Sequence, residues 1–123
     1  MTTINGGKPF YGHSIGILMT DAVVPRLVGD IGNAFTFDFP VRHKVVWGAT
    51  VEKLIHSPDH KMLEPYISAG RELEKEGVLA LTTSCGYLAL FQEEMAEALD
   101  IPVFASSLLQ VPMVLRMLKK KQK

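Results

Sequence analysis

Cys85 is the single cysteine of the chain, and the run Thr83-Ser84-Cys85-Gly86 sets its sulfur beside two hydroxyls and a glycine. A thiolate in such company can act as a nucleophile or carry a proton. The segment before it, Val78-Leu79-Ala80-Leu81-Thr82-Thr83, reads as a short buried strand. After it, Leu88, Phe91, Met95, Ala98 and Leu99 recur at the spacing of an amphipathic helix. Cys85 therefore falls where a strand turns into a helix. Backbone N–H groups at a helix start lack partners and carry partial positive charge, which favours a thiolate. The same groups, with the hydroxyls of Thr83 and Ser84, suit a carboxylate, and Gly86 lets a ligand approach the backbone. A buried structural thiol is the plain alternative for a lone cysteine.

The elements that must position this sulfur are legible as alternating runs. Residues 14–20 form a first buried strand closed by Asp21, and residues 43–49 a second. Between them, residues 22–42 hold Pro25, Gly29, Gly32 and Pro40, a long loop of the kind that covers a site. Leu63, Tyr66, Ile67, Gly70 and Leu73 predict a helix, with Pro65 in its first turn and Gly77 ending it. Residues 101–106 read as a fourth short strand and residues 108–118 as a last helix. Strands alternating with helices imply an α/β fold: a parallel, flavodoxin-like sheet of about four strands with helices on both faces. Ligands of such sheets bind beyond the carboxyl ends of the strands. Asp21, residues 48–50, residues 84–86, Ser106 and Ser107 lie at those ends and should converge on one edge.

Composition narrows the class. The chain has 123 residues, enough for one domain, and 13 basic residues balance 13 acidic ones. Such neutrality argues against a nucleic-acid or anionic-membrane partner. No run approaches the roughly 18 apolar residues of a membrane span, and the first residues lack the apolar core of a signal peptide. With one cysteine there is no internal disulfide and no multi-cysteine zinc site. A cytoplasmic protein is expected. Mean hydropathy of +0.16 is high for so small a chain and suggests surface that is covered by a partner or a second domain.

The run from Gly77 through Cys85 to Gln92 resembles the first catalytic segment of the aspartate/glutamate racemase family. The likeness continues through residues 102–112. Upstream, Gly16-Ile17-Leu18-Met19, the run Gly29-Asp30-Ile31-Gly32-Asn33-Ala34 and Phe39-Pro40-Val41 are similar to that group's first strand and covering loop. The resemblance spans about residues 14–118 and implies a cofactor-independent isomerase built from two facing α/β lobes. Each lobe gives one cysteine: one thiolate removes the proton alpha to a carboxylate and the other thiol returns it from the opposite face. It places residues 1–118 as the first lobe and residues 119–123 as a basic tail or inter-lobe linker. Cys85 would be the first-lobe base. Asp21, Thr83, Ser84 and Gly86 would line the cleft, with N–H groups near Gly86 and Tyr87 facing the carboxylate of a small acid or amino-acid substrate. Ser106 and Ser107 join them from their strand-end position.

This chain departs from that pattern in two places. Ala22-Val23-Val24 stand where a hydroxyl and a polar run are expected, and no second cysteine is present. Inversion of a carbon needs an acid and a base on opposite faces. Three readings remain: a racemase fragment, a two-fold homodimer that presents two Cys85 thiols, or a carboxylate-binding module without turnover. Other features are plainer. His56 and His60 have the spacing of two ligands on one helix face, but Pro58 between them argues against a regular turn. His13 and His43 read as surface or strand-end residues, His43 with an outside role as base partner of Cys85. Asp30 and Asn33 read as turn residues, Asp30 with a place in the site as its second reading. Trp47 and the phenylalanines read as packing, apart from Phe35 and Phe37 closing over a ligand.

Overall fold

In the computed structural model, which describes residues 1–56 and 60–122, four parallel strands form one sheet in the order β2-β1-β3-β4. They are β1 (Ile15–Thr20), β2 (Val41–Val46), β3 (Ala80–Thr83) and β4 (Val103–Phe104). Helices α1 (Val51–His56), α2 (Glu64–Glu76), α3 (Gln92–Ala98) and α4 (Val111–Met117) complete an α/β fold. Pro58, on which the histidine-pair argument turns, lies outside the described residues, as does Lys123 of the basic tail.

Strand register assigns the side chains to faces. Gly16 pairs with Leu81 and Arg42, and Leu18 with Thr83 and Lys44, so these residues share one face with Thr20 and Val46. The main core sits there: Leu18, Val46 and Leu81 cluster with Leu54 of α1, Tyr66 and Leu73 of α2, and Leu88, Met95 and Leu99. Ion pairs at the rim, Arg42 to Glu76 at 2.8 Å and Lys44 to Glu72 at 2.6 Å, tie β2 to α2 on the same face. α2 can lie that close because Gly16 has no side chain: a Cβ there would sit 2.6 Å from Leu81 Cδ2 and 3.0 Å from Leu73 Cδ1. Gly77 ends α2 in the left-handed conformation (φ 107°), its N–H bonded to the carbonyls of Leu73 and Glu74.

Over β1 and β2 the opposite face is covered by the loop of residues 21–40, not by a helix. A Cβ on Gly32 would meet Met19 Cε at 2.8 Å, and His43 Nε2 lies 2.9 Å from Ile31 O. Ile17 and Met19, which point to that side, are buried. Over β3 and β4 the same face is open: Thr82 is only half-buried and Phe104, its register partner, is 47% exposed.

Several element boundaries differ from the sequence reading. β2 runs from residue 41 to 46, so Trp47 lies past its end and is 78% exposed, a correction to its reading as packing. Phe10, Phe39 and Phe104 are also exposed, and of the phenylalanines Phe91 joins the core. The chain after Cys85 does not enter an α-helix at once: Gly86–Phe91 is a 3-10 turn, and the regular helix starts at Gln92. The last helix likewise starts late, after a 3-10 turn over Ser107–Gln110.

Candidate functional site

The carboxyl ends of β3 and β4 enclose a pocket of about 370 Å³ lined by Ile31, residues 82–86, Phe104, Ser106 and Ser107. Cys85, Thr83, Ser84, Gly86, Ser106 and Ser107, six of the eight residues singled out from the sequence, are therefore together. Ile31 reaches them from the covering loop, so that loop does border the site.

Each wall is fixed by a short set of hydrogen bonds. Cys85 is 8% exposed, with extended backbone (φ −125°, ψ 118°) at the mouth of the 3-10 turn. Its N–H donates to Thr83 Oγ1 at 3.2 Å, while that hydroxyl donates to Ala105 O at 2.6 Å. Thr83 thus locks the end of β3 to the end of β4 beneath the sulfur. Ser84 N–H donates to Leu18 O at 3.0 Å, and Ser84 Oγ accepts the N–H of Thr20 at 3.0 Å. Ser106 Oγ accepts the N–H of Leu108 at 3.1 Å, and Ser106 is buried. A hydroxyl that accepts one N–H still has its proton to give. Ser84 and Ser106 therefore bring two oriented O–H donors to the pocket that holds the thiol.

Two predicted residues stand apart from this pocket. Asp21 turns away to cap the next strand end: its Oδ2 accepts Gly48 N–H at 2.9 Å, and its own N–H donates to Ala49 O at 3.0 Å. It lines a neighbouring depression of about 290 Å³ with Met19, Arg26 and Trp47. Tyr87 is half exposed in the 3-10 turn and is not among the pocket's walls. Asp30 organises the loop. Its carboxylate accepts Gly32 N–H at 2.7 Å and pairs with Arg26 at 3.0 Å. The Gly32 N–H foremost holds it below the usual carboxylate range; burial opposes this, and the Arg26 guanidinium adds to the lowering. Asn33 accepts Phe35 N–H and donates to Arg26 O in the same turn. His43 is held in mid-strand against Ile31 O. His60 faces Glu94 at 3.9 Å, and among the described residues no group of three or more His, Cys, Asp or Glu side chains could hold a metal.

Two supporting residues escaped the sequence reading. Tyr66 reads there as a core position of α2, yet its hydroxyl bonds Thr20 Oγ1 at 3.0 Å just below the site. Burial is the main reason its phenol is pushed up to about 12; the Thr20 bond opposes the rise and the neighbouring Cys85 adds to it. Gln92 holds β4: its Nε2 donates to Val103 O at 2.8 Å and its Oε1 accepts Ala105 N–H at 2.9 Å. A tyrosine inside an apolar stripe, which must find a partner for its polar tip, was the available signal for the first. For Gln92 there was none.

Comparison with known proteins bears on the chemistry. Over 103 residues, 82% of this chain, it is 34% identical to dimethylsulfoniopropionate lyase 7 of Emiliania huxleyi (strain CCMP1516), covering 30% of that protein. Dimethylsulfoniopropionate lyase 6 of the same alga is 35% identical over 104 residues, 82% of this chain and 27% of the relative. A dimethylsulfoniopropionate lyase from Durusdinium sp. clade D is 33% identical over 114 residues, 87% of this chain and 36% of the relative. These relatives are lyases. Their names correct the expectation of an aspartate/glutamate racemase, and with it the isomerase activity that the resemblance implied. The chain spans about a third of the length of the relatives it matches. No family model and no solved structure matches it. Among the described residues no helix is long and apolar enough to cross a membrane.

The pocket itself gives a physical reason for the correction. Its walls carry hydroxyls, one thiol, one isoleucine and one phenylalanine, with no lysine, arginine or histidine among the described residues that line it. An acidic amino acid brings a second carboxylate that such walls leave without a counter-charge.

Proposed function

We propose that this chain supplies the base and the carboxylate pocket for β-elimination from dimethylsulfoniopropionate or a closely similar sulfonium acid. The thiolate of Cys85 takes the proton from the carbon alpha to the carboxylate. The electron pair of that C–H bond becomes the new C=C bond, and the C–S bond to the sulfonium breaks with its electrons going to sulfur. Dimethyl sulfide leaves, acrylate remains, and the proton on Cys85 passes to water. Ser84 and Ser106 donate to the carboxylate, where negative charge builds as the proton departs. Phe104 and Ile31 form the apolar end, and an aromatic face suits a sulfonium cation.

Substrate charge supports this reading. A zwitterion with one carboxylate and one sulfonium is neutral, and its sulfonium brings a positive charge to a pocket whose base is a thiolate. Elimination also asks less of the protein than inversion does. The proton leaves from one face and nothing has to be returned to the other, so a single thiol suffices for the proton transfer. The observation that carries the proposal is the likeness to the lyases over more than four-fifths of the chain, in a segment that contains Cys85 at a strand end beside two O–H donors.

Headspace gas chromatography of the protein mixed with dimethylsulfoniopropionate tests it. Dimethyl sulfide should accumulate with the native chain, and Cys85→Ser should lower the rate by about 100-fold or more, the usual scale for loss of a general base. No release from the folded native chain at high substrate, or an undiminished rate in Cys85→Ser, would overturn it.

A further inference from the structure

The end of β1 brings a second set of hydroxyls to the thiol, on the core side of the pocket. In the parallel pairing of β1 with β3, Leu18 lies beside Thr83. Ser84 N–H donates to Leu18 O at 3.0 Å, which carries the ladder one step past β3. Continued to Thr20, the same register sets it beside Cys85, on the face that also holds Leu18 and Thr83. Both are buried, Thr20 at 4% and Cys85 at 8% exposure. Neighbouring strands lie about 4.8 Å apart, so a hydroxyl on one can turn toward a sulfur on the next. From α2, the fully buried Tyr66 meets Thr20 Oγ1 at 3.0 Å.

Counting protons gives this pair a direction. Two hydroxyls that share one hydrogen bond have one proton left to give. The phenol is the more acidic of the two and donates to Thr20 Oγ1, which leaves the Thr20 proton free to turn about the Cβ–Oγ1 bond. Burial foremost holds the Tyr66 ionisation up at about 12, and the nearby Cys85 adds to the rise, as expected of neighbours. The phenol therefore keeps its proton wherever a thiol ordinarily titrates.

We propose that Thr20 and Tyr66 are positioning residues for Cys85: Tyr66 O–H donates to Thr20 Oγ1, and Thr20 O–H donates to the thiolate from the core side. This rests on the reading of Cys85 as the base and adds what keeps that base ionised. In that reading Ser84 and Ser106 serve the carboxylate, so the sulfur anion needs a donor of its own. A hydrogen bond to an anion is roughly twice as strong as one between neutral groups. Other charges stay away from the sulfur. Asp21, next after Thr20, gives its carboxylate to Gly48 N–H. Among the described residues no acid, lysine, arginine or histidine lines the pocket, and Tyr66 is the titratable group of the core cluster that holds Cys85, whose other members are apolar.

Alkylation of Cys85 by iodoacetamide across a pH series, read by mass, tests this without any dimethylsulfoniopropionate. Cys85 is the single cysteine, so every added group reports on it. Thr20→Val keeps the shape and removes the hydroxyl. Its alkylation midpoint should rise by about one pH unit, a tenfold change in the ionisation equilibrium. Thr20→Ser restores the O–H and should return to the native midpoint. Tyr66→Phe leaves that O–H without its orienting partner and should rise by less than Thr20→Val. A merely structural loss would loosen the site and speed alkylation at every pH with the midpoint unmoved. Circular dichroism checks that each variant is folded, and Thr20→Ala takes the place of Thr20→Val if that chain is not. A midpoint within about 0.2 units of native in the folded variant without the hydroxyl overturns the proposal. So does a Thr20→Ser chain that shifts as far as Thr20→Val. Dimethyl sulfide release with an unmoved midpoint would sink this inference alone. A moved midpoint without release would sink the elimination chemistry and leave this inference standing.

Discussion

Tyr66 is buried with its hydroxyl on Thr20 Oγ1, and its ionisation is delayed from the ordinary 10 to about 12. The folded state therefore holds this proton more tightly than the unfolded chain does. Below pH 10 the difference adds nothing to the slope of stability. Between 10 and about 12 the unfolded tyrosine ionises first, so stability falls as pH rises. Tyr66→Phe should cost about 1 kcal/mol near neutrality, for the lost hydrogen bond, and should remove this part of the alkaline decline. Urea midpoints at about pH 8 and about pH 11 check it: the gap between native and variant should narrow at the higher pH. A gap of equal size at both would contradict the assignment. At this scale the sequence was informative wherever a residue's role is set by its neighbours. Cys85, Ser84 and Gly86 lie at a strand end because an apolar run stops there, and the same logic found Ser106. Asp21 also lies at a strand end, but its carboxylate is engaged by Gly48 N–H, a pairing between segments 27 residues apart that no local pattern announces.

At the scale of elements, β4 is the weakest strand and the one the site depends on most. It has two residues and, among the described residues, pairs only with β3, through Val103 to Leu81 and Phe104 to Thr82. On its other side the amide of Gln92 takes the place of a fifth strand, bonding Val103 O and Ala105 N–H. Gln92→Ala would leave the N–H of Ala105, a fully buried residue, without its partner, at a cost of about 1–3 kcal/mol. Urea unfolding should report that loss, and the Ala105 amide should exchange faster than in the native chain. A change below about 0.5 kcal/mol, the level of an ordinary surface substitution, would show that β4 is held otherwise. The sequence announced β1 and β3 well because each is a short, largely apolar run bounded by Gly or Asp; β2, with Arg42, His43 and Lys44 in its six residues, was placed too late. It misjudged the turn after Cys85. The apolar spacing from Leu88 onward is helical, but Leu88 N–H bonds back only three residues, to Cys85 O at 3.2 Å, and the Cys85 side chain offers no cap. Hydrophobic period does not separate a 3-10 turn from the first turn of an α-helix over so few residues.

For the whole molecule, the high mean hydropathy is matched by exposed apolar side chains: Val23, Leu27, Val28, Phe35, Trp47 and most of α4. What hydropathy could not say is where. Faces are assigned only once register is known, and register gathers the core of α1, α2 and α3 on one side of the sheet. Substrate class lay further still from the sequence. A thiol next to hydroxyls at a strand end serves any removal of a proton alpha to a carboxylate, and the product depends on whether the substrate carries a leaving group. That distinction, not the identity of the base, separates a lyase from a racemase.

The fate of the alpha hydrogens is the most direct test of this chemistry. With dimethylsulfoniopropionate carrying two deuterons alpha to the carboxylate, mass spectrometry should find acrylate with one deuteron at that carbon, and only background acrylate with Cys85→Ser. Product that keeps both alpha deuterons, or acrylate formed equally fast without the thiol, would contradict the account.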